Sequence, residues 1–495
     1  MALNGNLENM ENKSKNKIII IGAGLGGIST ALRLSYAGYK VTLIEKNSVL
    51  GGKISPLDHK GYKFDRGPSL ITLPQHFIEL YEDVGENIED HIKLVNLNPT
   101  CKYFFDNGKI FNYFSTISGM RKELSKIGEN FESFCDFLNI GSKVYELSDK
   151  TFLNYPMGKF PSNVQLKDLI SFPYIKSLKS YKKLTQSIFK SDEMRQIFER
   201  YTTYVGSSPK KTPGMFFIIP FIEFAFGSWY IEGGIYSLIK SLEKLLIKNN
   251  VEILKNTEIN KIKVSNNEVS GVETDKEFIK GNVIVNNADV SNLKEFTSSK
   301  NKNDENIDYY SLSGFIMLLG IKKELNSEHH NILFSKNYNN EFNDLFVKKI
   351  FPDDPTIYLC NPSVSEIQVA PKGCSSLFIM ANSPATLESW SKKNIDEAKK
   401  KIYKKLSYYG FQVDVKDIEI EEVQTPNYFM DQHNSFGGSL YGKNSHGYFN
   451  SFFRHPNKDK IKGLYNVGGT SHPGGGTPTV LKSSKITSDL IKNDY

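Results

Sequence analysis

The stretch that decides the fold lies near the start of the chain, where residues 17–28 read Lys-Ile-Ile-Ile-Ile-Gly-Ala-Gly-Leu-Gly-Gly-Ile. The apolar run at residues 18–21 is typical of a strand buried on both faces. Glycines follow in the spacing G-x-G-x-x-G, and apolar residues at helical spacing then continue to Gly38, which ends a predicted helix. A second predicted strand, residues 40–45, ends in an acid. This order predicts a dinucleotide-binding β-α-β unit.

Each residue of this motif has a physical role in such a unit. Gly22 permits the tight turn, Gly24 lets the backbone approach a pyrophosphate, and Gly27 lets the helix pack close to the strand. The free N–H groups at the helix N-terminus attract an anion. Glu45 can accept both ribose hydroxyls of an adenosine and would repel a 2′-phosphate. We therefore predict that all four residues bind a dinucleotide, the alternative being a structural glycine turn.

The length, charge and residue composition of the chain limit the kinds of function that it can have. The 495 residues exceed one compact core, so we expect several domains. A net charge of +7 is a mild excess and does not indicate nucleic-acid binding. The four cysteines form no C-x-x-C pair and the histidines no H-x-x-x-H pattern, which predicts no metal site and a reducing compartment. Residues 1–16 lack the apolar core of a signal peptide and predict a disordered tail. We expect a cytoplasmic protein, soluble or peripheral on a membrane.

Further glycine-rich stretches predict where a flavin would lie. Gly51-Gly52 before a lysine can line an anion, although such a pair also fits a flexible loop, and residues 65–68 form a rigid bend that suits a flat ring. Residues 463–476 lead through a glycine-rich loop into a helix, whose N-terminus can support charge on a reduced flavin. With a single G-x-G-x-x-G in the sequence, FAD is favoured over NAD. The further predicted cofactor contacts are Gly52, Lys53, Gly67, Pro68, Ser69, Ile259, Gly468, Gly469, Gly476 and Val480.

Between and after these stretches the chain changes character. Residues 77–189 have mixed helix and loop character without a chemical motif, as in the body of an inserted domain. Within them, residues 176–190 combine helical apolar spacing with five lysines, which fits either a membrane-surface helix or a solvated one. A helix at 235–246, a hairpin at 260–273 and a buried strand at 283–289 that ends in a turn then return to parallel-sheet patterns. A nucleotide domain built from separated segments is therefore predicted.

The combined motifs resemble the bacterial carotenoid desaturases of the phytoene type. Besides the stretches above, they include Trp-Tyr-Ile-Glu-Gly-Gly-Ile at 229–235, Asn-Asn-Ala-Asp at 286–289 and His-Pro-Gly-Gly-Gly at 472–476. The resemblance covers nearly the whole chain from Lys17. Residues 204–208 and 353–358 look more like the branch that oxidises terminal methyl groups of linear C30 carotenoids. Two departures are Lys53, where arginine is common, and the Lys-Ser-Ser-Lys at 482–485.

The resemblance implies an α/β fold with three parts: a Rossmann-like FAD domain of the glutathione-reductase type, a mixed-sheet substrate domain and a helical insertion facing the membrane. We assign residues 17–100, 232–290 and 456–495 to the FAD domain. The substrate domain takes residues 101–231, which include the helical insertion, and residues 291–455. The resemblance also implies a long apolar tunnel for a polyisoprenoid. The aromatic residues of 216–226 could line that tunnel, or they could simply be core.

The implied reaction is the dehydrogenation of a long linear polyisoprenoid. A hydride passes to FAD, and the remaining allylic cation is acidic enough to lose a proton without a strong base. Arg66 and His472 are the polar candidates for catalysis by motif position, although His472 could instead hold its own glycine loop. The expected partners are a lipophilic polyene, a quinone or oxygen as electron acceptor, and the inner face of the membrane.

Three alternatives remain open at this stage. The chain could oxidise the terminal methyl groups of a linear C30 carotenoid. It could also bind a prenyl lipid without turning it over, as escort proteins of small GTPases with this architecture do; the fingerprints at both ends of the chain argue against that. A flavin amine oxidase would carry an aromatic pair around the flavin, and no such pair can be placed in the sequence.

Overall fold

The computed structural model describes residues 16–158, 179–297 and 306–495. Its strands are β1 (Lys17–Ile21), β2 (Lys40–Ile44), β3 (Pro56–His59), β4 (Tyr62–Asp65), β5 (Leu94–Asn96), β6 (Cys101–Phe104), β7 (Ile110–Tyr113), β8 (Trp229–Ile231), β9 (Glu252–Leu254), β10 (Ile259–Ser265), β11 (Glu268–Thr274), β12 (Phe278–Lys280), β13 (Val283–Asn286), β14 (Ser313–Ile321), β15 (His330–Leu333), β16 (Ile357–Cys360), β17 (Ser375–Ser383), β18 (Ile418–Gln424) and β19 (Leu464–Asn466). The α-helices are α1 (Leu25–Tyr36), α2 (Pro74–Glu82), α3 (Ile117–Ile127), α4 (Phe131–Ser148), α5 (Tyr181–Ile188), α6 (Asp192–Arg200), α7 (Ile218–Phe226), α8 (Tyr236–Lys248), α9 (Leu293–Thr297), α10 (Tyr338–Asn343), α11 (Lys392–Tyr408), α12 (Pro426–His433), α13 (Gly447–Phe452) and α14 (Thr477–Asp494).

The predicted parallel unit forms the first sheet. Its five parallel strands run in the order β19-β13-β1-β2-β9. The last four residues of β1 are buried, because helices cover one face of the sheet and strands β10, β11 and β12 cover the other. On one face, the Thr30 hydroxyl of α1 donates to Ser484 of α14 at 3.0 Å, which ties the first helix to the last. The strands predicted at 18–21 and 40–45 are confirmed, and the strand predicted at 283–289 is confirmed in its first four residues, which form β13.

The second sheet has seven strands in the order β18-β14-β17-β16-β15-β6-β7. Strand β14, the second from one edge, is buried along its whole length and pairs antiparallel with β17 and β18. The strands β6 and β7 come from the region predicted to be helix and loop, so that prediction was wrong there. Each is only four residues long, too short for an alternating pattern to stand out from a buried helix.

Helices α3 to α7 cover the β6–β7 end of this sheet with an aromatic core. The aromatic stretch at 216–226 forms a 3₁₀ turn followed by α7, and its Phe217 and Phe224 are buried in that core. The ring of Phe224 meets that of Phe134 edge-on, with 5.0 Å between the ring centroids. The basic segment predicted at 176–190 is described from residue 179 onward, since residues 176–178 lie outside the described residues. Residues 181–188 of this segment form α5.

The remaining strands form three smaller sheets, β10-β11-β12, β3-β4 and β5-β8. The predicted hairpin is confirmed as β10 and β11, paired antiparallel with Ile262 opposite Val272. The helix predicted at 235–246 is confirmed as α8. The strands of the first sheet come from four separate parts of the chain. The domain boundaries given in the sequence analysis remain predictions. In the part of the chain that the structure describes, no helix is both long enough and apolar enough for a membrane span.

Candidate active site

A cavity of about 540 Å³ runs from the carboxyl ends of the first sheet's strands to the face of the seven-stranded sheet. The carboxyl edge is where open α/β sheets bind ligands. Among the predicted site residues, those lining it are Gly22, Gly24, Glu45, Gly52, Lys53, Arg66, Gly67, Pro68, Ser69, Ile259, Gly468, Gly469, Gly476 and Val480. The lining does not include Gly27 or His472. Residues from three distant stretches of sequence, 22–69, 259 and 468–480, therefore meet around one space.

Two glycine positions explain how the backbone forms one end of this cavity. A Cβ atom on Gly27 would lie 2.1 Å from the carbonyl oxygen of Gly22, so only glycine lets α1 pack this close to β1. A Cβ atom on Gly52 would lie 3.2 Å from the Cα atom of Gly24, so the two glycine loops touch. The result is a cradle of bare backbone at the N-terminus of α1, which suits a pyrophosphate.

Glu45 is positioned by the backbone. Its buried carboxylate accepts hydrogen bonds from the amides of Ala23 at 2.8 Å and Asn47 at 2.9 Å. An ionised carboxylate has about four acceptor positions, so two amides leave capacity for further donors. Because Glu45 lines the cavity, hydroxyl groups of a ribose can use that capacity.

Asn287 is a site residue that the sequence analysis quoted in a motif without giving it a role. Its side-chain amide donates to the carbonyl oxygen of Gly22 at 2.9 Å. A Cβ atom on Gly26 or Gly468 would lie 2.6 or 2.7 Å from its Oδ1 atom. Asn287 therefore braces the first glycine loop against the last one. Its place at the carboxyl end of the buried strand β13 was a usable signal.

Lys53 and Asp289 are two charged residues of the cavity lining. The Lys53 ammonium donates to the carbonyl oxygen of Leu440 at 2.7 Å, and burial lowers the pKa of Lys53 while the charge of Asp289 opposes that shift. The Oδ2 atom of Asp289 is buried and has no hydrogen-bond partner among the described residues. A ligand with hydroxyl or N–H donors would satisfy it, and a flavin dinucleotide has both. The residues present therefore fit FAD.

Both predicted catalytic residues have hydrogen-bond partners within the protein, and only Arg66 lines the cavity. Arg66 binds Glu422 of β18 in a bidentate pair, at 2.8 and 2.6 Å, and donates to the carbonyl oxygen of Pro56 at 3.0 Å. It therefore anchors the bend at 67–69 to the second sheet. The Nε2 atom of His472 lies 3.0 and 2.9 Å from the carbonyl oxygens of Phe152 and Tyr155, outside the cavity lining. These contacts favour the alternative role of His472, holding its loop.

Ser69, Tyr358 and His330 form a hydrogen-bonded chain in the cavity wall. The Ser69 and Tyr358 hydroxyls are hydrogen-bonded to each other, and the Tyr358 oxygen lies 2.8 Å from Nδ1 of His330. All three residues line the cavity. Burial holds the pKa of His330 well below its ordinary value, so the ring is neutral at pH 7. The sequence analysis missed Tyr358 and His330, because only the pairing of β15 with β16 brings them together.

His330 also belongs to a buried group that could be mistaken for a metal site. One potential ligand atom from each of His329, His330 and Cys360 lies within 4.8 Å of the others. Burial raises the pKa of the Cys360 thiol to about 12, whereas a metal binds the thiolate. These three residues therefore give no reason to revise the sequence-based prediction that the chain has no metal site.

The rest of the lining is largely apolar on the side of the seven-stranded sheet. Ile316, Ile332, Phe378 and Met380 face the cavity there. Of the two alternatives for the aromatic residues of 216–226, tunnel lining or core, the structure favours core, because only Glu223 of that stretch is among the lining residues of the cavity. Phe217 and Phe224 are buried in the aromatic core, and Phe216 and Phe221 are partly buried against it, because α7 packs against α4.

Comparison with known proteins agrees with this geometry. Residues 25–492 match the model of the family described as flavin-containing amine oxidoreductases. The chain belongs to this family. This flavoenzyme is 36% identical to a 1-hydroxycarotenoid 3,4-desaturase from a Flavobacterium species, over 96% of the chain and 99% of that protein. It is 29% identical to a 4,4'-diaponeurosporene oxygenase from Staphylococcus haemolyticus, over 97% of both chains.

These relatives confirm the resemblance to the bacterial carotenoid desaturases, including their diapocarotenoid oxygenase branch. The flavoenzyme is thus an oxidoreductase with FAD as its cofactor. A solved structure of an oxidoreductase from Methanosarcina mazei has the same fold, with a TM-score of 0.62 and 17% identity over 96% of this chain and 100% of that one. The predicted α/β fold class is confirmed.

Proposed function

We propose that the flavoenzyme is a carotenoid desaturase that dehydrogenates a long linear polyisoprenoid. The observation that carries this proposal is the single cavity, which joins a polar backbone cradle at α1 to an apolar wall on the second sheet. The cradle suits the dinucleotide, and the apolar wall suits a hydrocarbon chain. The names of the carotenoid-specific relatives support the same substrate class. When bound, FAD supplies the acceptor for the hydride.

The residues of the chain have two tasks in this reaction. The apolar wall binds the polyene and excludes water that would otherwise capture a cation. The hydrogen-bonded side chains of Ser69, Tyr358 and His330 then accept the proton that the substrate cation loses. Ser69 takes it from carbon, Tyr358 takes the proton of Ser69, and His330 takes that of Tyr358 at Nδ1. The electrons of the broken C–H bond become the new double bond. A neutral His330 is the form that this transfer needs.

The test is product analysis after co-expression with synthases that make C30 or C40 polyenes. We expect products that have lost two hydrogens for each new double bond, with the matching shift of the absorption bands to longer wavelength. Unchanged polyenes in cells that contain the FAD-loaded protein would contradict the proposal.

A second candidate is oxidation of terminal methyl groups. It is favoured by the similarity to the diaponeurosporene oxygenase and by Tyr204, which begins the stretch resembling that branch and lines the cavity. The same co-expression experiment separates the two activities, because methyl oxidation adds oxygen to a C30 polyene whereas desaturation adds none.

We infer that a quinone or oxygen reoxidises the flavin. The sequence contains one dinucleotide fingerprint and no iron–sulfur or redox cysteine motif. A membrane-dissolved substrate would also bring the cavity close to quinones. In anaerobic assays of the FAD-loaded enzyme with liposomal polyene, we expect multiple turnovers with added quinone and none with NAD or NADP alone. Sustained turnover with NADP alone would contradict this inference.

We further propose that one basic and aromatic surface docks on the membrane. The amide of Lys182, in α5, donates to the carbonyl oxygen of Pro209 at 2.9 Å, and the amide of Gly447, at the start of α13, donates to that of Lys211 at 2.9 Å. Helix α5, the loop at 209–211 and α13 therefore lie next to one another. Phe449 lies in α13 and Phe453 directly follows it. Their stacked rings are 72% and 62% exposed. Exposed aromatic rings beside lysines suit an anionic bilayer.

Reversing the charges of Lys179, Lys182 and Lys183 to glutamate should weaken binding to anionic vesicles. Each lysine near such a surface contributes about 1 kcal/mol, an effect that salt screens. Co-sedimentation with phosphatidylserine vesicles at low and high salt measures it. The matched control reverses Lys240, Lys244 and Lys248, which are exposed on α8. Equal binding of the wild type and the α5 triple variant would assign α5 to a solvated face.

A further inference from the structure

The last group of the proton relay, the ring of His330, lies inside the protein. It is buried, and burial, with smaller contributions from the charges of His329 and of the cavity-lining Arg200, holds the pKa of His330 well below its ordinary value. A protonated ring is therefore unfavourable there, and His330 must lose its proton before it can accept the next one. Another group has to take that proton and pass it to water.

His329 lies directly beside His330. The two rings meet edge to face with 4.5 Å between their centroids, and one nitrogen atom of each ring lies within 4.8 Å of one nitrogen atom of the other. The Nδ1 atom of each ring already has a hydroxyl partner, whereas both Nε2 atoms are buried without a hydrogen-bond partner among the described residues. A rotation of the rings about their Cβ–Cγ bonds brings nitrogens at this separation within hydrogen-bond reach.

The far side of His329 leads to the surface. Its Nδ1 atom lies 2.7 Å from the hydroxyl oxygen of Ser365, an exposed residue that directly follows the 3₁₀ turn Pro362–Val364. Burial lowers the pKa of His329 to about 4, so this ring passes a proton on and does not store it near neutral pH. The hydroxyl of Ser365 connects the ring to water.

We propose that His329 carries the substrate proton from His330 to solvent at Ser365. His330 gains a proton at Nδ1 and releases one from Nε2, and His329 gains it at Nε2 and releases one from Nδ1. Each ring thus forms one N–H bond and breaks one, and no electrons move along the path. For each double bond, one proton enters at Ser69 and one leaves at Ser365. This inference rests on the proposed function and extends its relay to the surface.

The test follows the hydride and the proton separately during one anaerobic turnover of the FAD-loaded enzyme. The substrates are linear C30 and C40 polyenes in liposomes. Flavin absorbance reports the hydride, and a pH-indicator dye in weakly buffered solution reports the proton that reaches solvent. In the wild type, we expect both signals to develop at the same rate.

His329→Phe keeps an aromatic ring beside His330 and removes both nitrogens. Flavin reduction should keep its rate, because the acidic substrate cation can still protonate His330. The release of the proton to solvent should lag behind flavin reduction by about tenfold or more. His329→Asn keeps a polar group near Ser365 but cannot take up and release a proton, so it should show the same lag.

The matched control is His91→Phe. The ring of His91 also packs on a tyrosine, Tyr81, with 5.1 Å between the centroids, and it lies outside the cavity lining. In this variant, proton release should keep pace with flavin reduction, as in the wild type.

The two signals also separate failure of the path from failure of the proposed function. Proton release that keeps pace with unslowed flavin reduction in both His329 variants would overturn the path and leave the desaturase proposal standing. Equal slowing of both signals in these variants would also overturn it, because it would give His329 a merely structural role. If neither polyene reduces the flavin of the wild type, the desaturase proposal itself fails.

Discussion

Gly24→Val should abolish the retention of FAD, with at least about a tenfold loss of affinity. Gly24 lines the cavity where the two glycine loops touch, and a Cβ atom there would already lie 3.1 Å from the Asn287 amide nitrogen. The larger valine side chain would enter the space of the pyrophosphate and push Asn287 away from the loop that it braces. The measurement is the ratio of flavin to protein absorbance after gel filtration.

Two companion variants sharpen this result. Glu45→Ala should weaken FAD binding by about 1.5–3 kcal/mol, because it removes a charged acceptor for the ribose. Ala37→Val, just beyond the far end of α1, is the control and should keep stoichiometric flavin. A Gly24→Val protein that still holds one FAD per chain would refute the assignment of this loop to the pyrophosphate.

Tyr358→Phe should lower turnover by about a hundredfold while leaving FAD bound, because proton transfer by positioned side chains typically contributes at least that much. The change removes the hydroxyl that links Ser69 to His330 and keeps the ring in place. Single-turnover flavin reduction by a polyene, followed by product analysis, measures it. Tyr403→Phe is the matched control, since its hydroxyl binds Glu421 away from the cavity lining.

The pH profile gives this prediction a second readout. His330 accepts a proton only when it is neutral, and its pKa lies well below the ordinary value. Wild-type turnover should therefore stay constant at and above neutral pH and fall only as the pH drops through that lowered pKa. Wild-type turnover in Tyr358→Phe would exclude the relay and leave the cation to lose its proton by another path.

Local sequence was enough for the part of the fold that binds the dinucleotide. Everything from β1 to Glu45 lies in one continuous stretch, and the pattern of that stretch reports burial, turn and helix directly. The strands β6 and β7 escaped prediction because four residues carry too little periodicity, and their place in a sheet depends on β15, more than 200 residues away.

The same contrast holds for the site. Ser69 was found because it adjoins a glycine-containing bend, whereas His330 and Tyr358 become neighbours only through the register of β15 and β16. Arg200 and Glu223 were passed over because single charges in amphipathic or aromatic segments read as solvated surface. Tertiary packing alone turns them toward a cavity.

The first sheet has a consequence for biosynthesis. Its outer strand β19 and the helix α14, which packs on α1, come from residues 464–494, although β1 leaves the ribosome first. The nascent chain must therefore carry an incomplete nucleotide-binding half until residues 464–494 have been synthesised. Flavin loading has to wait for these residues, and a stop codon before Leu464 yields a colourless polypeptide.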